Sequence, residues 1–292
     1  TDRLPELGAA PTAFDVNFAE PDRTPPAALA ANLPDDRQYD SARVQLAALP
    51  DPDAEFAAAL GRSPSVLAFA YSHDAALSAD PSTSFGYGFS IIGPPEAESY
   101  VAGKVQGGPY AILPLPILLQ SKSGLGEVHA GDPDPDGIIR RVPLVVGVGD
   151  KLYPTLAGDA LRVGVGGQTG QVRLTQDGFI DKMRIGEAII PVNDRGELLL
   201  YDTGSTAERY VSLADLFDAD FDPAHVEGHI VLIGTTVEGL KDNRATPLEP
   251  VMPGVEIHAE ILEQIIGGTY LTRPYNADDI EKLYLAIFGA VL

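Results

Sequence analysis

Val231-Leu-Ile-Gly-Thr-Thr-Val-Glu-Gly-Leu-Lys-Asp-Asn-Arg-Ala-Thr-Pro-Leu-Glu-Pro-Val-Met-Pro-Gly-Val-Glu-Ile-His-Ala-Glu-Ile-Leu-Glu-Gln-Ile-Ile266 reads as a strand, a polar loop and an amphipathic helix. The apolar run Ile230 to Ile233 is short and uncharged, as expected of a strand covered on both faces of a sheet. Pro253-Gly254 opens the helix. Val255, Ile261, Leu262, Ile265 and Ile266 give it an apolar side, and Gly267-Gly268 stops it. Ligands of α/β sheets gather beyond the carboxyl ends of strands, so the loop after Ile233 is the first place to seek a site.

Working outward, the same alternation recurs. Leu4 to Leu7 reads as the end of a helix, Gly8 as a turn and Thr12 to Phe18 as a strand. A Pro-rich stretch from Glu20 to Asp36 reads as an irregular surface loop. Asp40 to Leu49 and Asp53 to Leu60 are helical, and Ser65 to Tyr71 is a strand. This βαβ rhythm predicts parallel pairing of the first two strands. Leu115 to Leu119 reads as a short helix. Gly126 to Ala130 and Ile138 to Val148 read as two strands joined by an acidic loop, and Tyr153 to Val163 as a helix. Short alternating runs between Val172 and Tyr201 predict a small antiparallel meander. Ser212 to Phe217 is a short helix. The fold class expected is α/β: a mixed, largely parallel sheet flanked by helices, with an antiparallel β insertion at about 168–205.

The 292 residues carry 42 acidic and 20 basic side chains, a net charge of -22, which repels phosphate backbones and argues against nucleic acid as a partner. Cysteine is absent, which removes disulfides, thiolate nucleophiles and thiolate metal sites. Leu283 to Leu292 is apolar and uncharged. It is too short to span a bilayer, which takes about 20 residues, and is expected either as a short buried helix or as the start of a membrane segment.

Several motifs invite a chemical reading. Asp132-Pro-Asp-Pro-Asp-Gly137 matches the first half of a calcium loop, with Asp132, Asp134 and Asp136 as ligands. Pro143 stands where the closing bidentate Glu belongs, so a hairpin turn at Asp136-Gly137 is the simpler reading. Calcium is the one cofactor this leaves open, and no other is expected. Arg140 and Arg141 follow at once, either bonded to the aspartates or facing an anion in a cleft. Gly234 to Lys241 resembles a phosphate loop but places its Lys one residue late and Glu238 before the phosphate, which argues against nucleotide binding. Thr235, Asp242, Arg244 and Thr246 form a polar cluster after the strand, suited to fixing the loop or to touching a small ligand. Asp15, inside the first predicted strand, is a further candidate for ligand contact. His258 lies in the first helical turn, on the face of Leu262 and Ile265, as a half-buried residue or a ligand contact. Ser72-His73-Asp74 has the residue types of a triad, but adjacency counts against catalysis, and no nucleophile–base set is evident.

Gly8-Ala-Ala-Pro-Thr-Ala-Phe-Asp15 with Phe18-Ala-Glu-Pro-Asp22 opens an ordered set of blocks. Gly131 follows, with Asp134-Pro-Asp-Gly-Ile-Ile-Arg-Arg-Val-Pro-Leu144. Val231-Leu-Ile-Gly-Thr-Thr, Gly239-Leu-Lys-Asp242, Thr246-Pro247 and Met252-Pro-Gly-Val-Glu-Ile-His-Ala259 complete it. Together they resemble the CHASE-two family, the second type of cyclase/histidine-kinase-associated sensory extracellular domain. The resemblance implies a periplasmic or extracellular input domain in a cell membrane. Residues 1–275 would be the sensor, and 276–292 an exit helix running into a transmembrane segment. It implies an output module such as an adenylate cyclase, or less directly a diguanylate cyclase, a histidine kinase or a Ser/Thr kinase, working as a homodimer. The stimulus would be a small molecule or a protein. The family's usual leading membrane helix and a further segment before Gly8 have no counterpart in these residues. Two rivals come from other classes: a periplasmic metal-assisted hydrolase built on the aspartates of 132–136, and a soluble ligand-binding protein.

Overall fold

The computed structural model describes residues 2–75, 89–94, 96–167, 169–236, 243–273 and 277–291. At its centre Thr12–Phe14 pairs in parallel with Val231–Ile233 on one side and with Ser65–Val66 on the other. Ser65–Ser72 then pairs in parallel with Gly124–Glu127, while its last three residues take Tyr110–Ile112 as an antiparallel neighbour. This five-stranded sheet is the mixed, largely parallel sheet expected from the sequence. Side chains alternate along it with the two-residue period of a strand. Ala13, Val66 and Ala68 enter one apolar cluster, and Phe14, Leu67, Phe69 and Leu125 enter another on the opposite face.

The crossover between the first two strands ends in the helix Pro52–Leu60. Asp51 caps it by accepting hydrogen bonds from the amides of Asp53 and Ala54, and Pro52 fits a first turn that has no use for its missing N–H. The helix Leu156–Gly164 crosses the sheet beside Gly124–Glu127 and Ser65–Ser72. A glycine allows that approach: a Cβ on Gly126 would lie 2.5 Å from Leu156 Cα. The helix Gly254–Gly267 packs on Leu156–Gly164 and stops at Gly268, whose φ of 64° is the left-handed cap that glycine adopts at least strain. Its N-terminal turn presses against the end of the strand Val231–Ile233, where a Cβ on Gly234 would meet the Val255 side chain at 2.7 Å.

The β insertion contains the antiparallel strands Gln171–Leu174, Ile180–Ile185 and Ala188–Ile190. Ser90–Ile92, which the alternation left unassigned, joins it in parallel beside Gln171–Leu174.

Other expectations are corrected. The stretch from Glu20 to Asp36 contains the helix Pro26–Asn32, because Pro26 sits at its first turn where proline is tolerated. Val231–Ile233 is half-buried, since it forms the sheet edge instead of an interior strand. The strands on either side of the acidic loop do not pair with each other. Gly124–Glu127 is taken by Ser65–Ser72, and Pro143 divides the second run into Arg141–Pro143 and Val145–Val148. Arg141–Pro143 pairs with Glu197–Leu199, and Val145–Val148 forms a hairpin with Lys151–Pro154. That hairpin delays the following helix from Tyr153 to Leu156.

The helix Ala277–Val291 exposes Leu283, Tyr284, Leu285, Ile287 and Phe288. Among the described residues no helix is long and apolar enough to cross a membrane.

Candidate functional site

The parallel strands deliver polar side chains at their carboxyl ends, where an α/β sheet offers a crevice. Asp15 follows Thr12–Phe14, and its amide donates to the Ile233 carbonyl at 2.8 Å. Thr235 lies exposed just past Val231–Ile233. Tyr71 is the penultimate residue of the strand Ser65–Ser72, and Glu127 closes the strand Gly124–Glu127. Two residues on, and therefore on the same side of the extended chain, His129 folds back. Its amide donates to Glu127 Oε2 at 2.9 Å and its Nδ1 donates to Oε1 of the same carboxylate. The Glu127 side chain is fully buried, so both of its oxygens are held by one residue. The His129 ring stacks on Tyr71 with centroids 4.6 Å apart, and His73 meets Tyr71 edge-on.

Charge acts on this group from several elements. The hydrogen bond to Glu127 raises the His129 pKa, partial burial opposes it, the charges of Glu127 and Asp132 add to the rise, and Arg244 works against it. Burial raises the Tyr71 pKa first, with the charges of Asp132 and Glu127 adding. The charges of Asp132 and Arg244 thus act on the Tyr71–His129 pair from two other segments of the chain.

The acidic loop continues from here. Asp134 accepts from Arg140 Nη1 at 3.0 Å and from Arg141 Nη1 at 2.7 Å, and Asp136 accepts from Arg140 at 2.9 and 2.8 Å. The Arg140 hydrogen bonds hold the Asp136 carboxyl down at about 2. Asp134, Asp136, Arg140 and Arg141 are therefore one ion-pair cluster. A cation at Asp134 and Asp136 would have to displace two guanidinium groups. Among the described residues no group of three or more His, Asp or Glu side chains is placed to hold a metal ion. A turn does form where Asp136-Gly137 predicted one: the Gly137 amide donates to Asp134 and the Asp134 amide to Ile138, with Gly137 at φ 85°. It closes a loop, not a hairpin.

On the far side of Asp132 lies a cavity of about 400 Å³, lined by Lys104, Gln106, Asp132, Asp134 and Arg141 and by the turn that carries Asn193, Arg195 and Glu197. Asp132 lines this cavity and acts by its charge on the Tyr71–His129 pair. Beneath the loop, fully buried His258 donates from Nε2 to the Val128 carbonyl at 3.0 Å, and its Nδ1 is buried without a hydrogen-bond partner. The residue expected to be half-buried on the helix is thus a fully enclosed tether between helix Gly254–Gly267 and the residue next to His129.

The structure unites Asp132, Asp134, Asp136, Arg140, Arg141 and Arg244 around one loop, with His258 directly below. Asp15 and Thr235 stand at neighbouring strand ends. Asp242, and with it most of the polar loop Gly234 to Lys241, lies outside the described residues. Ser72, His73 and Asp74 form no triad: Ser72 Oγ accepts from the Asp74 amide at 3.0 Å in a local turn. Sequence reasoning missed Tyr71, Glu127, His129 and Arg195. The Glu-x-His spacing of 127 and 129 was a usable signal, because a two-residue step in a strand returns to the same face.

The His129 pair has a pH signature. A raised folded pKa means that its stabilisation is complete below the unfolded value of about 6.5 and disappears as pH rises through the folded value. The difference in melting temperature between the wild type and His129→Gln should therefore be largest near pH 5.5 and shrink towards pH 9. A difference that grew with pH would contradict the Glu127 pairing.

No curated protein and no solved structure gives a significant match to this chain. The CHASE2 domain profile matches residues 1–292, the whole chain. On that match over its whole length, the chain belongs to the CHASE2 domain family, the extracellular sensory domains of signalling receptors.

Proposed function

We propose that this domain is the periplasmic input of a membrane-bound adenylate cyclase, acting as a homodimer in the full-length receptor. The stimulus is received by the loop 128–141 and the cavity beside it. The observation that carries this reading is the His258–Val128 hydrogen bond, which ties the receiving loop to the first turn of helix Gly254–Gly267. That helix runs to Gly268 and, a short segment later, to the helix Ala277–Val291 with its exposed apolar side chains. A ligand that favours one placement of the loop over another favours the corresponding placement of the helix, which is what coupling between sites requires. The exposed Leu283, Leu285 and Phe288 support membrane contact for the exit helix.

The test is His258→Leu in the full-length receptor. Leucine fills the apolar surroundings and removes the tether, so the domain should still fold while basal cyclic AMP output changes on the order of fivefold, the lower range of measured coupling energies. Output that is unchanged in a folded, normally expressed variant would defeat the relay.

A further inference from the structure

The cavity beside Asp132 has a charge pattern unlike the rest of the chain. The whole sequence holds 42 acids against 20 bases, yet the cavity lining is balanced, with Lys104, Arg141 and Arg195 facing Asp132, Asp134 and Glu197. Several of these charges are already committed. Arg141 is bonded to Asp134 at 2.7 Å, and Lys104 sits over the rings of Tyr100 and Phe179. Glu197 Oε2 accepts from Asn193 Nδ2 at 2.7 Å, which occupies one of its two oxygens.

Two opposite charges remain. Neither the Asp132 carboxylate nor the Arg195 guanidinium makes a hydrogen bond or ion pair with the described residues, and both line the same cavity. Arg195 is presented by a rigid turn. The Asn193 side-chain oxygen accepts from the amides of Arg195 at 3.0 Å and Glu197 at 2.9 Å, and Gly196 takes a φ of 74°. Locking the backbone on both sides of an arginine lowers the entropy lost when its guanidinium grips a ligand.

We infer that this cavity binds a small zwitterion of the amino-acid class, its carboxylate on Arg195 and its ammonium on Asp132. A guanidinium receives a carboxylate through two parallel N–H···O bonds, and a carboxylate accepts the N–H donors of an ammonium. A dicarboxylate would bring its second charge against Asp132, Asp134 or Glu197. A diamine would set one ammonium against Lys104, Arg141 or Arg195. The zwitterion alone meets both signs. About 400 Å³ lies within the usual range for small-ligand sites. Asp132, which lines the cavity, also acts by its charge on Tyr71 and His129, so an occupant there adjoins the His129 pair. The inference rests on reading this cavity as the receiving site.

The experiment is calorimetric titration of the purified chain with each of the twenty common amino acids, with succinate and putrescine alongside. At least one amino acid should bind, and Arg195→Ala and Asp132→Asn should each weaken it by about tenfold or more, as expected for a lost charge-assisted hydrogen bond. Both positions are exposed, so both variants should fold; circular dichroism verifies this. Binding of succinate or putrescine without any amino acid, or binding indifferent to both substitutions, overturns the inference, as does no binding by any of them. The relay is judged separately: if no amino acid binds while His258→Leu still changes receptor output, the ligand class is wrong and the sensor reading stands.

Discussion

Arg162→Ala should destabilise the domain by about 3–5 kcal/mol, the range for removing one partner of a buried ion pair. Arg162 is 6% exposed and Asp159 is fully buried in the helix Leu156–Gly164. The guanidinium donates to Asp159 Oδ1 at 2.5 Å and Oδ2 at 3.1 Å, and also to the carbonyls of Ser123 at 3.2 Å and Gly167 at 3.1 Å. Asp159 Oδ2 accepts from the Leu125 amide at 2.7 Å, which pins the helix to the strand Gly124–Glu127. Without Arg162 the carboxylate is left charged in an apolar interior, and two carbonyls lose their donor. The double change Asp159→Leu with Arg162→Met should lose less than the single one, because it leaves no buried charge.

The pH dependence of that loss has a definite sign. Burial already raises the Asp159 pKa above its ordinary value even against the lowering effect of Arg162, and the variant lacks that opposing effect. A carboxyl with a raised folded pKa contributes stability at low pH and loses it as pH rises through the folded value. The deficit of Arg162→Ala relative to the wild type should therefore narrow on going from pH 8 to pH 5. Tryptophan is absent, so urea unfolding is best followed by far-ultraviolet circular dichroism. A deficit below 1 kcal/mol at pH 8 would mean that water reaches the pair and relieves it.

The parts of the fold that were legible in the sequence are those set by local rules. Pro253-Gly254 and Gly267-Gly268 punctuate one helix through backbone preferences that act at the residue itself, and both ends agree with the structure. The parallel pairing of Thr12–Phe14 with Ser65–Val66 followed from the intervening helices, which leave the chain no short way to return antiparallel. What could not be read was the choice of distant partner. Gly124–Glu127 had a nearer candidate across the acidic loop but pairs with Ser65–Ser72, where Gly126 lets a helix lie against the sheet. Nothing within the strand reveals that choice.

The site divides along the same line. Asp134, Asp136, Arg140 and Arg141 are close in sequence, and their mutual pairing was one of the readings available. Asp132 and Arg195 line one cavity from a loop after one sheet and a turn after another, and no local pattern links them. His258 shows the limit from the other side: its face of the helix was predictable, but its acceptor, a carbonyl 130 residues away, was not.

Arg209→Ala should destabilise the domain by roughly 2–4 kcal/mol, less than a fully buried pair because the Arg209 side chain is 18% exposed. Glu256, Glu260 and Glu263 recur at helical spacing along one stripe of helix Gly254–Gly267, and the first two are 3% and 1% exposed. Arg209 meets all three: it donates to Glu260 and, at 2.7 Å, to Glu263, and lies 3.6 Å from Glu256. Neutral donors complete the seam. Ser205 Oγ donates to Glu256 at 2.9 Å, as does the Tyr210 hydroxyl, and Thr203 donates to Glu260 through its amide at 3.2 Å and Oγ1 at 2.9 Å. Burial and the Glu256 hydrogen bond push the Tyr210 hydroxyl up to about 12, so it stays a donor across the physiological range. The opposite stripe, with Ile257, Ile261 and Ile265, is apolar and sealed in the core. The helix thus has one apolar seam sealed in the core and one polar seam, along residues 199–210, in which Arg209 is the cation bonded to the glutamates among the described residues. Arg209→Lys keeps the charge but cannot reach several carboxylates with a planar fork, so its loss should fall between the wild type and alanine. Hydrogen exchange should show faster opening of the 199–210 segment in Arg209→Ala than in the wild type, with the amides of Ile257 to Ile265 slowed or hastened only in step with global stability. If both segments instead gave way together, the polar seam would be part of the core's cooperative unit and could not serve as the side on which the helix is released.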